Sequence, residues 1–145
     1  MTDDPPLVLF VCKSNAGKSQ MAEALLREIA GDAITAVSAG TAPGSAINGQ
    51  SAAAVGEVGA DMSGGTPKPV DPELMRIADR VVVLGREAQL EPVDGMTAGI
   101  ERWETDEPAE RGIGGMQRMR LIRDDIAARV RDLATDLTTK RGENV

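Results

Sequence analysis

Five apolar residues in a row, Leu7–Val11, open the patterned part of the chain, and their lack of alternation predicts a strand covered on both faces. From about Ser19 to Ala30 the period becomes helical, with Met21, Ala22, Leu25, Leu26 and Ile29 on one face and Gly31-Asp32 as the stop. A second strand is expected at about Ala33–Ser38, closed by Ala39-Gly40-Thr41-Ala42-Pro43-Gly44. An Ala-rich, weakly patterned helix follows from Asn48 to about Val58. Gly64-Gly65 and Pro67-Lys68-Pro69 make Met62–Val70 a loop, and a short helix is expected at Asp71–Ile77. The third strand is Arg80–Leu84, with a helical turn after Gly85 from Arg86 to about Leu90. A weak fourth strand near Ala98–Trp103 leads into the loop Glu104–Gly114. The clearest helical pattern is the last, where Met119, Ile122, Ile126, Val130, Leu133 and Leu137 recur at three- and four-residue steps opposite Arg and Asp. The polar tail from Thr138 is expected to fray.

Strands alternating with helices argue for βαβ units around a parallel sheet of about four strands with helices on both faces, a three-layer α/β/α arrangement. At 145 residues the chain makes one domain, 1–145, with 1–6 and 138–145 as flexible ends. Phe10 and Trp103 are its only aromatics, so the core must be aliphatic and rich in alanine. The formal charge of −7 disfavours non-specific nucleic-acid binding. No apolar stretch reaches the roughly 20 residues of a spanning helix. The acidic, Pro-rich start Thr2-Asp3-Asp4-Pro5-Pro6 is the opposite of a signal peptide, so neither membrane nor export is expected and a cytoplasmic location is. Histidine is absent, which removes Ser–His and Cys–His catalysis and most zinc chemistry, and no metal is expected.

What remains is one sulfur. Cys12, the sole cysteine, ends the first apolar run and is followed by the small, polar stretch Lys13-Ser14-Asn15-Ala16-Gly17-Lys18-Ser19. Strand, tight loop, helix is the geometry in which main-chain N–H groups converge on an oxyanion at a helix N-terminus. A sulfur in that loop shares the positive field, which favours thiolate over thiol. Two readings compete. Gly17-Lys18-Ser19 ends like a Walker A loop, but that pattern needs Gly where Cys12 stands, and the third strand ends in Leu84-Gly85 where a Walker B Asp is required. The alternative is a Cys-x5-Lys-Ser anion loop. Its first residue is the nucleophile, Lys13–Gly17 wrap the oxygens, Lys18 neutralises them, and the Ser19 hydroxyl donates to sulfur.

Cys12-Lys13-Ser14-Asn15-Ala16-Gly17-Lys18-Ser19-Gln20-Met21-Ala22 resembles the signature of the low-molecular-weight protein tyrosine phosphatase superfamily, which includes arsenate reductases of the same fold. The likeness continues through Ser38-Ala39-Gly40-Thr41, Asp79–Gly85 and the acidic loop Trp103–Ala109, in the family's order. Two departures bear on the subfamily. Lys18 stands where phosphatases carry Arg, with its bidentate fork. No Tyr is available to stack on a phosphotyrosine ring, and Pro108 is followed by Ala109-Glu110. Members that finish arsenate reduction alone carry further cysteines, and this chain has none. The Gly17-Lys18-Ser19 ending of the loop, the Asp106-Glu107-Pro108 loop and the single cysteine together resemble the mycothiol-dependent arsenate reductases of actinobacteria.

That resemblance implies transfer of arsenate (with phosphate or sulfate as analogues) from Cys12 to mycothiol as cosubstrate, later resolution by a mycoredoxin, and no tightly bound cofactor. It also implies a general-acid carboxylate on the late loop, where Asp106 is favoured because the family residue is Asp, although Glu107 directly precedes Pro108. Blander roles stand beside these: Ser19 as a helix N-cap, Asn15 as a turn former, Lys18 as a solvated first-turn cation and the two acids as surface charge. Lys68 is a candidate for meeting a cosubstrate at the rim. The competing functions are a phosphatase working through a phosphocysteine and a non-catalytic oxyanion-binding or redox-sensing module.

Overall fold

The computed structural model describes residues 4–143. Its centre is a four-stranded, wholly parallel sheet in the order β2-β1-β3-β4, formed by β1 (Leu7–Cys12), β2 (Thr35–Gly40), β3 (Arg80–Leu84) and β4 (Ile100–Trp103). The side-chain period of two divides β1 between two cores. Val8 and Phe10 face a cluster completed by α1 (Lys18–Ala30), α2 (Gly49–Gly56) and α4 (Gly115–Glu143). Leu9 and Val11 face a smaller cluster with Ala39, Val81 and Val83, covered by α3 (Pro72–Ile77) and the segment around Ala88. A strand apolar on both faces is therefore buried on both, and its carboxyl end places Cys12 at the middle of the sheet.

Most expected elements appear, with shifts that have physical causes. The second strand begins later and runs to Gly40, because Gly31–Ala33 forms a 3-10 turn and Ser38, Ala39 and Gly40 pair with Phe10, Val11 and Cys12. Gly40 cannot carry a side chain there, since a Cβ would lie 2.8 Å from the Lys13 carbonyl oxygen. The helical turn expected at Arg86–Leu90 is absent. Gly85 turns the chain at φ +86°, and the Arg102 guanidinium takes the Gly85 and Ala88 carbonyls at 2.7 and 2.8 Å, so those acceptors satisfy a side chain instead of a helix.

Three smaller expectations are corrected. Ile29 lies at the exposed end of the α1 face, whereas Met21, Ala22, Leu25 and Leu26 are buried. The tail does not leave the helix at Thr138: its hydroxyl donates to the Ala134 carbonyl at 2.8 Å, and α4 continues to Glu143. At the other end Pro6, counted with the flexible start, is buried and its carbonyl accepts from Thr35 N–H; residues 1–3 and 144–145, part of the same expectation, lie outside the described residues. No helix among the described residues is long and apolar enough to cross a membrane.

Candidate active site

The loop from Cys12 to Gly17 is held by its carbonyls. The N–H groups of Thr41, Ala42, Gly44 and Asn48 donate to the carbonyls of Cys12, Lys13, Ser14 and Ala16 at 2.7 to 3.1 Å. Carbonyl dipoles tied outward leave the amides facing inward. Among the described residues, the N–H groups of Lys13, Ser14, Gly17 and Lys18 have no acceptor, and that of Asn15 donates to the Cys12 sulfur at 3.2 Å. This is the ring of donors an oxyanion needs at the start of a helix.

Behind the ring, a chain of hydrogen bonds fixes where each proton points. The backbone N–H of Lys68 can only donate, and it donates to Asn15 Oδ1 at 3.1 Å, which sets the orientation of the amide. Asn15 Nδ2 must then donate to Ser19 Oγ at 2.7 Å and to Ser38 Oγ at 3.0 Å. With its oxygen accepting from Asn15, Ser19 has its own proton free for Cys12 Sγ, 2.9 Å away. Ser38 likewise passes its proton to Glu23 Oε1 at 3.0 Å, and Glu23 is paired with Arg27. Two donors thus meet the sulfur, the Asn15 N–H and the Ser19 hydroxyl. Asn15 is held at φ +54° and fully buried to do this, in the left-handed region that Asn tolerates better than most residues.

In front of the ring lies a cavity of about 440 Å³, lined by Cys12, Lys13, Ser14, Ala16, Gly17 and Lys18 together with residues of the Gly85 turn, the acidic loop, α2 and α4. Lys18 reaches across it to Glu107 Oε1 at 2.5 Å. It passes Gly85 on the way, where a Cβ would sit 3.1 Å from Lys18 Nζ. Asp106 points elsewhere. Arg111 grips it through two hydrogen bonds of 2.8 and 3.1 Å, and that guanidinium holds its carboxyl below the usual carboxylate range. The loop's backbone is pinned to α4 by Asp125, which accepts from Asp106 N–H at 2.8 Å.

The expected site residues therefore divide. Cys12, Lys13, Ser14, Ala16, Gly17, Lys18 and Glu107 come together around the cavity. Ser19 stands behind the sulfur, not at the helix cap, which is Gly17. Asn15, expected among the oxyanion contacts, has its side chain turned away from the cavity into the buried network. Asp106, favoured as the acid, does not line the cavity, whereas Glu107 does. Lys68, expected at the rim, turns inward, with its ammonium 3.4 Å from Asn15 Oδ1 and Ser38 Oγ. Sequence reasoning missed Glu23 and Ser38. Their signal was present, since each is polar at a position whose chain neighbours, Ala22 and Ala24 or Val37 and Ala39, are buried or half-buried apolar residues.

Residues 7–143 match the family described as low molecular weight phosphotyrosine protein phosphatase. The chain belongs to this family. Among its relatives, a Halobacterium salinarum protein assigned as an arsenate reductase is 34% identical over 129 residues, covering 86% of this chain and 87% of that one. The solved thioredoxin-dependent arsenate reductase of Corynebacterium glutamicum superposes with a TM-score of 0.77 at 29% identity, over 97% of this chain; the chain spans 65% of that protein's length. An arsenate reductase solved in its phosphate binding state gives a TM-score of 0.76 at 28% identity, over 91% of this chain and 98% of that one. The family match spans all four strands of the sheet and the Cys12 loop.

Proposed function

We propose that the protein is an arsenate reductase that passes arsenate through the Cys12 thiolate to an external low-molecular-weight thiol, mycothiol, for resolution by a mycoredoxin. The observation that carries this is a lone sulfur, hydrogen-bonded by Asn15 N–H and Ser19, at the base of a ring of free amides. The names borne by the relatives support the substrate.

Arsenate enters the ring with its oxygens on the loop amides and Lys18. The thiolate attacks arsenic, so a sulfur–arsenic bond forms as an arsenic–oxygen bond breaks. The oxygen leaves as water, carrying protons from the arsenate and from a carboxylate. The oxyanion competes with Glu107 for Lys18, and the freed Glu107 is the carboxylate within reach of the departing oxygen. An incoming thiolate then attacks arsenic, its sulfur–arsenic bond replacing that of Cys12, which leaves as thiolate. Arsenic is reduced only afterwards, when a second thiol attacks the released adduct and a disulfide forms. No second cysteine exists here to perform that last step internally.

The test is arsenate turnover by the purified chain with mycothiol plus mycoredoxin, glutathione, bacillithiol or thioredoxin supplied singly. Sustained turnover with mycothiol plus mycoredoxin is expected. Multiple turnovers with thioredoxin alone, the donor named for the Corynebacterium neighbour, would reject the small-thiol step. A phosphatase is the second reading, because a carboxylate beside the anion loop also suits ester cleavage. Hydrolysis of phosphate monoesters at rates matching arsenate turnover would favour it. Lys18 in place of a bidentate Arg, and walls without an aromatic ring, argue against.

A further inference from the structure

The cavity is far larger than one tetrahedral oxyanion, and its α4 side holds an arginine that the chemistry above does not use. Arg118 lines the cavity with a buried Nε–H that has no hydrogen-bond acceptor among the described residues. Its neighbours are all matched: Arg86 to Glu110, Arg111 to Asp106, and Arg120 and Arg123 to Glu57. Arg118 also sits in the first turns of α4, which begins at Gly115, where the helix dipole disfavours a cation, and no acidic residue in that first turn offsets it. Two local rules are broken at one residue that lines the cavity.

A second donor lies on the same wall. Asn48 spends its side-chain oxygen on Ser51 N–H at 2.8 Å, which leaves its amide N–H groups as the unspent end. Met119 and Ile122 supply apolar surface beside them. The charges of the cavity set the kind of ligand. Glu87, Glu107 and Glu110 line it beside Lys13, Lys18, Arg86 and Arg118, so the lining is nearly balanced, and a doubly charged arsenate tips the balance negative. A further carboxylate would be repelled, while uncharged carbonyl and hydroxyl oxygens would find donors and no like charge.

We infer that Arg118 and Asn48 form a cosubstrate subsite that binds the neutral amide and hydroxyl oxygens of the incoming thiol. The inference rests on the external small-thiol reading and adds the residues that choose among thiols.

The experiment measures steady-state arsenate turnover of wild type and Arg118→Met with two thiols, mycothiol, which carries amide and hydroxyl oxygens, and ethanethiol, which carries neither. The ratio of the mycothiol KM to the ethanethiol KM is expected to rise about tenfold in the variant, the worth of one hydrogen bond from a charged donor. The melting temperature should hold or rise, because an apolar side chain replaces a buried donor without a partner. A rise in the arsenate KM instead, an equal effect on both thiols, or a marked fall in melting temperature would overturn the assignment. Wild-type KM values already equal for the two thiols would also overturn it while leaving the small-thiol reading intact. Turnover with no small thiol at all would remove both.

Discussion

Asp106 and Glu107 are adjacent carboxylates in opposite surroundings. Asp106 is held by the Arg111 guanidinium and is thereby kept ionised, which suits an anchor and not a proton donor. The Glu107 side chain shares the cavity with Cys12 and, among the described residues, is paired with Lys18 alone, a partner that the substrate itself would draw away. Glu107→Gln is therefore expected to lower kcat by roughly a hundredfold, in the range typical of a positioned general acid. Asp106→Asn should lower kcat only about threefold and act through loop order. Rates measured for both variants decide between them, and a large loss of kcat confined to Asp106→Asn would return the role to Asp106. The Asp-before-Pro expectation followed the family's residue type; the side chain that the fold turns inward is the one directly before Pro108.

At the scale of elements, α2 and α4 form one wall of the cavity, and a surface ion cluster ties them outside it. Glu57, just past the end of α2, receives Arg120 at 2.8 Å and Arg123 at 2.7 Å from α4. Hydrogen bonding from Arg120, aided by Arg123, brings the Glu57 carboxyl from its ordinary 4.5 down to about 2. The folded state therefore holds the proton more weakly than the unfolded chain does. The stabilisation is fully present above about pH 4.5 and is lost as pH falls toward 2. Glu57 is solvent-exposed, so salt should weaken the contribution further. Urea unfolding of wild type and Glu57→Gln should show a constant gap from pH 7 to 5 that closes by pH 2. A gap that widened on acidification would contradict the sign. None of this cluster was legible from apolar periodicity, which reports the inner face of a helix and is blind to its outer one.

Across the molecule, what sequence reading recovered was local and what it missed was joined over distance. β3 and the buried stripe of α4 follow from short-range periodicity, and the anion loop follows from eight consecutive residues. The network behind the sulfur links positions 15, 19, 23, 38 and 68, which no window along the chain places together. The turn at Arg86 fails for the same reason, its carbonyls being claimed by Arg102 from β4. The core offers a test of how far the fold depends on one such distant contact. Phe10 and Trp103 are the chain's only aromatics, and they meet across the sheet with ring centroids 5.8 Å apart and planes tilted by 55°. Phe10 is fully buried in a cluster whose other members, Trp103 apart, are aliphatic and methionine side chains, many of them alanines with little bulk to fill a void. Phe10→Ala should therefore cost about 3–5 kcal/mol, toward the upper end for core truncations. That is a large share of the stability of a domain this size. Trp103 is the sole tryptophan, so its fluorescence reads the loss directly in urea, and far-UV circular dichroism should give the same midpoint. A loss below about 1 kcal/mol would mean that the sheet closes over the gap and that the aromatic pair is not what joins β4 to the centre of the fold.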